Sequence, residues 1–484
     1  MTTDEATNAI AVFGPEELER SIAGFNPSMA SFLQQIGLPT ENILSPVDER
    51  KKVIFALEDA LGSLPMEERE RAYYLTKFTV AVSVGLFDGA LNYLWNETVH
   101  ALRRLVAGFD LAYFFSVAEQ ISSRNRRLSS VDHLVRVDDH DLLEACRRIG
   151  LISDVNYKRL EHINFMRNCA SAAHPNDTEI DGFEMLSWLA NCLRYAITAE
   201  PDHSVISIHR LLVNIRREVV PSEDFPVIGA DIETMSQERI DDLLWTLFGM
   251  YVDPRQTPAA KTNIRGVGKY VWSASSEDRK YEIGARYGVF RKNAEIARKD
   301  AAHEFLETVD GQSYRDEDSL AGELIEKLGV LKSVHFGMNN FYNEFPVAKD
   351  LQRSLPVNGV VPRAARSSWV KVICLSYTGN GHGHRQGVDE AALPYYERYI
   401  NGFSEAEMVE FLHLMGDAEF TSAFDRSMVD GRVRDLARLL KSKSENIHTK
   451  RALDLIAGTP PRTLSGMHQT TEYKEALKLA PKHS

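Results

Sequence analysis

The feature that most constrains the fold of this chain is a long run of apolar side chains spaced three and four residues apart. It spans residues 71–106 and includes Leu75, Phe78, Val82, Leu86, Ala90, Tyr93 and Leu94. Because an α-helix turns once about every 3.6 residues, this spacing places those side chains on one helix face. The alternation with period two that is typical of a strand is absent from this stretch. We therefore predict one long helix over residues 71–106.

Further helices are predicted on both sides of this segment from the same spacing and from helix-ending residues. They lie at 111–121, 138–149, 154–173 and 182–198. Gly150 ends the second of these helices, Ser153 and Asp154 cap the third, and Pro175 terminates it. A short apolar run at 370–377 fits a buried strand and a buried helix equally well. The predicted fold class is all-α, with a helical bundle followed by a large, mostly helical C-terminal domain.

The length of the chain indicates more than one domain. It has 484 residues, and one hydrophobic core rarely serves more than about 200. The segment at 200–204 reads as a linker. We therefore predict an N-terminal helical extension at 1–70, a helical domain at 71–205 and a regulatory or recognition domain at 206–484.

The charge balance and the hydropathy pattern exclude some classes of protein. The formal net charge of −13 argues against a surface that coats nucleic acid or anionic membrane, although one basic cleft remains compatible with it. The longest apolar stretch, at 78–94, is interrupted by Ser83, Asp88, Gly89 and Asn92. The N-terminal residues also lack the basic and apolar regions of a signal peptide. We predict a soluble, cytoplasmic protein without a membrane partner.

The cysteines give no indication of a metal or disulfide framework. Cys146, Cys169, Cys192 and Cys374 are far apart, and no pair has the spacing of metal ligands. The first three lie in apolar helical patterns, where we predict small core residues. The sequence thus predicts no metal site and no cofactor.

The segment most suggestive of chemistry runs from Arg167 to His174. Seven positions separate the two residues, close to two full helical turns, so their side chains share one face about 10 Å apart. The intervening residues from Cys169 to Ala173 are small, which permits close approach of another helix. Without a functional role, Arg167 would pair with a nearby acid, and His174 would cap the last carbonyls of the helix.

This segment resembles the R-x(4–6)-H motif of the HEPN superfamily. Here Asn168 follows the arginine and six residues separate the arginine from the histidine. The preceding segment at 89–105 resembles the long first helix of HEPN domains in phage-defence and abortive-infection proteins. The resemblance covers about residues 71–200, and no family is recognised for 206–484.

The resemblance implies metal-independent RNA cleavage, in which the 2′-hydroxyl attacks the adjacent phosphate. In that reaction His174 would move the proton, Arg167 would bind the phosphorane and Asn168 would orient either group. An accompanying acid is expected in active members, and Glu97 and Asp88 are the candidates. The family usually places two motifs across a two-fold axis, which implies a homodimer with one composite site.

Several further residues are candidates for contact with RNA. The arginines that we predict to attract phosphate are Arg103, Arg104, Arg124, Arg126 and Arg127; a solvated basic face is the alternative. A polar series steps by four along the predicted long helix and comprises Asp88, Asn92, Asn96 and His100. It either faces solvent or lines a functional cleft.

The leading functional prediction is a toxin-like endoribonuclease that acts in antiphage defence by abortive infection. One alternative is a non-catalytic HEPN module for dimerisation or RNA binding within a sensor or scaffold. Another is a sensor whose C-terminal domain binds a protein or phage-derived trigger and gates the nuclease. The glycine-rich loop at 379–385 is the predicted trigger contact.

Overall fold

The computed structural model of the chain describes residues 15–41, 43–62, 64–170, 179–199, 203–217, 219–382 and 387–481. Helices and the loops between them account for these residues, and none of the described residues forms a strand. The all-α prediction is confirmed at this level. The chain divides into two compact units, with residues 1–249 and 257–275 in the first and residues 250–256 and 276–484 in the second.

The first unit contains the segment with the Arg167 motif and is built from short and medium-length helices. They are α1 (Pro15–Gln35), α2 (Val47–Gly62), α3 (Met66–Arg69), α4 (Tyr73–Val84), α5 (Phe87–Ala107), α6 (Leu111–Ile121), α7 (Asp139–Arg148), α8 (Asp154–Ala170), α9 (Gly182–Cys192), α10 (His203–Arg217), α11 (Phe225–Glu233), α12 (Gln237–Val252) and α13 (Pro258–Ala274). The last three residues of α12 belong to the second unit. A π-helical turn, Leu193–Ile197, continues α9.

Helix α5 lies at the centre of this unit. Eleven of its 21 residues are buried, and they occupy more than one face of the helix. It packs against α4, α7, α8 and α9, so these helices surround it. Burial of an apolar side chain contributes about 1.5–3 kcal/mol, and α5 is therefore a major source of the stability of the unit.

The prediction of one uninterrupted helix over 71–106 is wrong, because the chain turns at Gly85. This residue has a φ of 90°, a left-handed conformation that glycine adopts without a steric penalty. Its N–H donates to the carbonyls of Ala81 and Val82, both at 3.0 Å, and Leu86 N donates to the Ala81 carbonyl at 2.8 Å. These bonds end α4 and set the direction in which α5 begins.

A buried arginine lies against this turn. Arg50 of α2 is fully buried, and its Nε donates to the carbonyl of Ser45 at 2.7 Å. Among the described residues its two terminal nitrogens have no hydrogen-bond partner. Burial lowers the pKa of the Arg50 guanidinium, since the charged form loses hydration. A Cβ on Gly85 would lie 2.4 Å from Arg50 Nε, so position 85 has no space for a side chain.

Several local sequence predictions are confirmed around α7 and α8. Asp138 caps α7, and Gly150 with a φ of 85° follows its C-terminal end. The Ser153 hydroxyl accepts from Asn156 N at 3.3 Å at the start of α8.

The cysteine predictions hold for two of the three residues. Cys146 and Cys192 are buried, whereas Cys169 is exposed, so the prediction of a core position for Cys169 is wrong. Cys169 lies one turn beyond Phe165, which is also exposed, on the outer face of α8. Burial raises the pKa of the Cys192 thiol to about 12, which leaves it without a thiolate near neutral pH.

The first unit extends beyond the predicted boundary at residues 205 and 206. Arg148 of α7 donates to the carboxylate of Asp242 of α12, and Asp242 is fully buried. Arg216 of α10 pairs with Asp110, whose side chain is also buried. The predicted extension at 1–70 likewise belongs to this unit, because α2 packs against α4 and α9.

The described part of the second unit consists of helices joined by loops. They are α14 (Glu277–Lys292), α15 (Ile296–Thr308), α16 (Glu317–His335), α17 (Asn340–Asp350), α18 (Arg366–Thr378), α19 (Leu393–Asn401), α20 (Glu405–Leu414), α21 (Ala418–Thr421), α22 (Ser427–Lys443), α23 (Ile447–Gly458), α24 (Leu464–Met467) and α25 (Thr471–Leu479). The ambiguous run at 370–377 is helical and forms most of α18, which packs against α16, α19, α20 and α22.

A buried polar network holds the base of the glycine-rich loop in the second unit. The Glu344 carboxylate contacts His335 Nδ1 and accepts from Tyr396 Oη, each at 2.8 Å. Asn380 donates to the carbonyl of His335 at 2.7 Å, and Asn340 donates to that of Gly387 at 2.8 Å. Residues 383–385 of the predicted trigger loop lie outside the described residues.

No helix in the described part of the chain is both long enough and apolar enough to cross a membrane.

Replacing Gly85 by alanine should lower the free energy of unfolding by about 2 kcal/mol or more. The left-handed backbone costs a residue with a Cβ about 1–2 kcal/mol, and the contact with Arg50 adds steric strain. Urea denaturation followed by tryptophan fluorescence measures the loss. Gly89→Ala is the matched control, since its Cβ would meet only Leu86 Cβ at 3.9 Å. Alanine there favours the helix, so equal destabilisation by both substitutions would contradict the assignment.

A fragment of residues 1–275 should fold on its own, whereas a fragment of residues 1–205 should not. The shorter fragment loses the partners of Asp110 and Arg148, and an unpaired buried charge typically costs about 3–5 kcal/mol. Thermal unfolding followed by circular dichroism should be cooperative only for the longer fragment. A cooperative transition of 1–205 at the same temperature would show that α10–α13 are dispensable.

Candidate functional site

The candidate site lies where α5, α7 and α8 meet. These three helices pack against one another in the first unit. Helices α7 and α8 are consecutive and are joined at Gly150, so the C-terminal part of α8 comes back to the start of α7. Contacts from α8 to both other helices, through Arg167, fix this arrangement.

The Arg167 side chain is held from three directions. Its Nε donates to Asn92 Oδ1 of α5 at 3.2 Å, and its Nη1 donates to Asn168 Oδ1 at 3.0 Å. The same Nη1 lies 3.8 Å from Asp139 Oδ2 of α7. The side chain is 29% exposed, so the guanidinium is oriented by protein groups and still reaches solvent.

Asp139 is in turn held by the core. Trp95 Nε1 of α5 donates to Asp139 Oδ2 at 2.7 Å, and Trp95 is fully buried. Asp139 is the first residue of α7, where the helix dipole stabilises a carboxylate. A core side chain and a helix terminus therefore both fix the position of this acid.

The structure describes two of the three motif residues that we predicted to be catalytic. Arg167 and Asn168 are in direct contact at the described end of α8. His174 lies outside the described residues. Sequence alone thus places His174 seven positions after Arg167.

The two predicted acids lie on opposite sides of α5. Asp88 and Glu97 are nine positions apart, which corresponds to about 900°, or two and a half turns. Glu97 is buried and pairs with Arg104 at 3.7 Å. Asp88 lies on the same side as Asn92, and its carbonyl accepts from Asn92 Nδ2 at 3.1 Å. The Asp88 carboxylate accepts from Gly89 N at 2.7 Å, and neither acid contacts Arg167.

For the polar series on α5, the sequence left open whether it faces solvent or lines a cleft, and its members differ in this respect. Asn92 bonds to Arg167 and so faces the candidate site. His100 is exposed, and its ring lies 6.2 Å from that of Tyr74.

Two of the predicted RNA-binding arginines reach the segment that precedes α7. Arg103 Nη2 donates to the carbonyl of Val137 at 3.5 Å, and Arg124 pairs with Asp138 at 3.0 Å. Arg103 lies eleven residues after Asn92, about three full turns, and therefore shares its face. The start of α7 is thus bordered by Arg103, Arg124 and Arg167.

The other predicted arginines are directed elsewhere. Arg126 pairs with Glu119 at 3.2 Å, and Arg104 pairs with Glu97. Arg127 is exposed and has a left-handed backbone with a φ of 70°. These three show no contact with Arg167, Asn92 or Asp139.

A group of possible metal ligands that the sequence analysis did not identify lies next to Asp139. Donor atoms of Asp138, His140 and Asp141 lie within 4.8 Å of one another. Asp138 is already engaged, since it caps α7 and pairs with Arg124. Asp141 accepts from Asn125 Nδ2 at 2.9 Å. These bonds account for both acids as parts of the helix start and its ion pairs.

Sequence reasoning also missed Trp95 and Asp139 as members of the site. Trp95 fits the apolar pattern of α5, and Asp139 follows a capping residue, so both resemble ordinary structural positions. Their contact joins residues 44 positions apart and leaves no local pattern. The place of Asn92 in the polar series of α5 was the one indication in the sequence that this helix face lines a cleft.

Comparisons of the chain with protein-family models, with curated proteins and with solved structures found no match.

Proposed function

We propose that this protein is a metal-independent endoribonuclease of the HEPN type. Arg167 binds the scissile phosphate, and His174 transfers the proton. The observation that best supports the proposal is the orientation of the Arg167 side chain. Asn92, Asn168 and Asp139 contact its guanidinium, and part of the side chain stays exposed to solvent.

The hydrogen-bonding capacity of arginine supports a phosphate-binding role. A guanidinium has five N–H donors in a rigid planar fork. In Arg167 the Nε and one Nη1 donor are used by Asn92 and Asn168, and Nη2 makes no hydrogen bond with any of the described residues. The donors of Nη2 are therefore available to the oxygens of a phosphate.

The proposed reaction is a transesterification that needs no redox partner. A base removes the proton of the ribose 2′-hydroxyl, and the oxygen attacks the adjacent phosphorus. The bond to the 5′-oxygen breaks, and that oxygen takes up a proton. The products are a 2′,3′-cyclic phosphate and a 5′-hydroxyl end. His174 suits these proton transfers because imidazole titrates near neutral pH.

The resemblance to HEPN proteins also suggests a setting for this activity. We propose a homodimer in which two motifs form one composite site, and a toxin-like role in abortive infection. An uncontrolled ribonuclease would damage the RNA of its own cell. The second unit is accordingly proposed to restrain cleavage until a protein or phage-derived trigger binds.

Arg167→Ala and His174→Ala should each lower RNA cleavage by about 10²–10⁴-fold without unfolding the protein. Cleavage of total RNA under single-turnover conditions gives the rates, and circular dichroism checks the fold. Arg159→Ala and His162→Ala are matched controls, since both residues are exposed on α8. Unchanged cleavage by a folded His174→Ala protein would rule out the proposed chemistry.

Cleavage should persist in EDTA and should leave 5′-hydroxyl ends. The proposed mechanism uses Arg167 and a histidine in place of a metal ion, and transesterification leaves the 5′-oxygen without phosphate. Labelling by polynucleotide kinase without prior phosphatase treatment detects such ends. Strict dependence on Mg²⁺ would contradict the mechanism and would direct attention to Asp138, His140 and Asp141 as ligands.

A further inference from the structure

Asp139 connects the buried core of the first unit to the Arg167 side chain. One of its oxygens, Oδ2, accepts the Trp95 indole N–H at 2.7 Å and lies 3.8 Å from Arg167 Nη1. We infer that Asp139 is a positioning residue that orients the Arg167 guanidinium for phosphate binding. The inference rests on the proposed ribonuclease function.

The position of the Asp139 carboxylate is fixed before any substrate binds. Trp95 is fully buried, so its ring has little freedom and its N–H points in one direction. The backbone of Asp139 is fixed as well, because Asp138 caps α7 by accepting from Asp141 N at 3.1 Å. A carboxylate held in this way is a rigid reference point for a flexible arginine.

Two of the contacts to Arg167 come from different helices. Asn92 of α5 accepts from Nε, and Asp139 of α7 faces Nη1. Two contacts at different edges of a planar group fix its rotation as well as its position. With both in place, the donors of Nη2 are held in a fixed orientation relative to α5 and α7. Orientation of this kind accelerates a reaction because the donors need no reorganisation when charge develops on the phosphate.

The distance between Asp139 and Arg167 is also compatible with turnover. At 3.8 Å the pair is an ion pair without a tight hydrogen bond, and both side chains are partly exposed, at 26% and 29%. Such pairs are weak because water screens them. Phosphate can therefore bind Arg167 while Trp95 keeps Asp139 in place.

Asp139→Asn is the substitution that tests the inference. Asparagine has nearly the same volume, and its carbonyl oxygen can still accept from Trp95, so the core contact is retained. The negative charge beside Arg167 is lost. We expect kcat to fall about 10–100-fold with little change in KM, since orientation matters most in the transition state. Trp95→Phe removes the N–H donor together with part of the ring, and it should also lower kcat.

A double-mutant cycle separates positioning from a general effect on the fold. If Asp139 acts through Arg167, Asp139→Asn should produce no further loss in the Arg167→Ala background. Asp132→Asn is the matched control, because Asp132 is an exposed carboxyl of the same unit. It should leave kcat unchanged.

Three results would overturn the inference. They are a wild-type kcat for Asp139→Asn, a higher kcat, and a loss that persists in full in the Arg167→Ala background. A higher kcat would mean that Asp139 competes with phosphate for Arg167. A persistent loss would mean that Asp139 acts through the fold.

A second measurement makes the inference testable even without cleavage. The Nε–H NMR signal of Arg167 in arginine-labelled full-length protein, assigned with Arg167→Ala, reports on the order of the guanidinium. It should indicate a restricted side chain in the wild type and an averaged one in Asp139→Asn. Absence of cleavage by the wild type would defeat the proposed function alone, whereas an unchanged NMR signal in Asp139→Asn would defeat the positioning role.

Discussion

The packing of α5 into the middle of the first unit is the constraint on which the candidate site depends. The polar side chains on the buried faces of such a helix need hydrogen-bond partners, either within the helix or on its neighbours. Trp95 presents an N–H to the start of α7, and Asn92 presents a carbonyl oxygen to the end of α8. Satisfying these two groups brings Asp139 and Arg167 together. The core and the candidate site are thus consequences of one packing arrangement.

The electrostatics of this region differ from those of a simple basic cleft. Arg124 and Arg167 each face an acid at the start of α7, and the whole chain carries a net charge of −13. An anion that binds here exchanges partners with carboxylates that are already present. The choice of anion then depends on geometry more than on accumulated positive charge. The planar guanidinium of an arginine binds phosphate oxygens only where they lie in line with its N–H groups.

Local periodicity predicted most helices and the Arg167 segment, because both depend on residues close in sequence. The break at Gly85 was missed, since glycine inside an apolar pattern is compatible with a continuous helix and with a turn. The extent of the first unit depends on Arg148 and Asp242, which are 94 positions apart and follow no spacing rule. Asp139 was missed for the same reason. The sequence indicated which arginine to consider but not which carboxylate faces it.

The buried guanidinium of Arg50 has a consequence for how the first unit fluctuates. Two of its nitrogens are without partners among the described residues, and water would supply those bonds if the corner between α2 and α4 opened. Rehydration therefore offsets part of the cost of separating these helices, which makes this corner a weak point of the unit. Local separation of α2 from α4 would begin at this corner. It would reach the first turn of α5 through Gly85, which lies beside the Arg50 side chain and two residues before Phe87, the first residue of that helix.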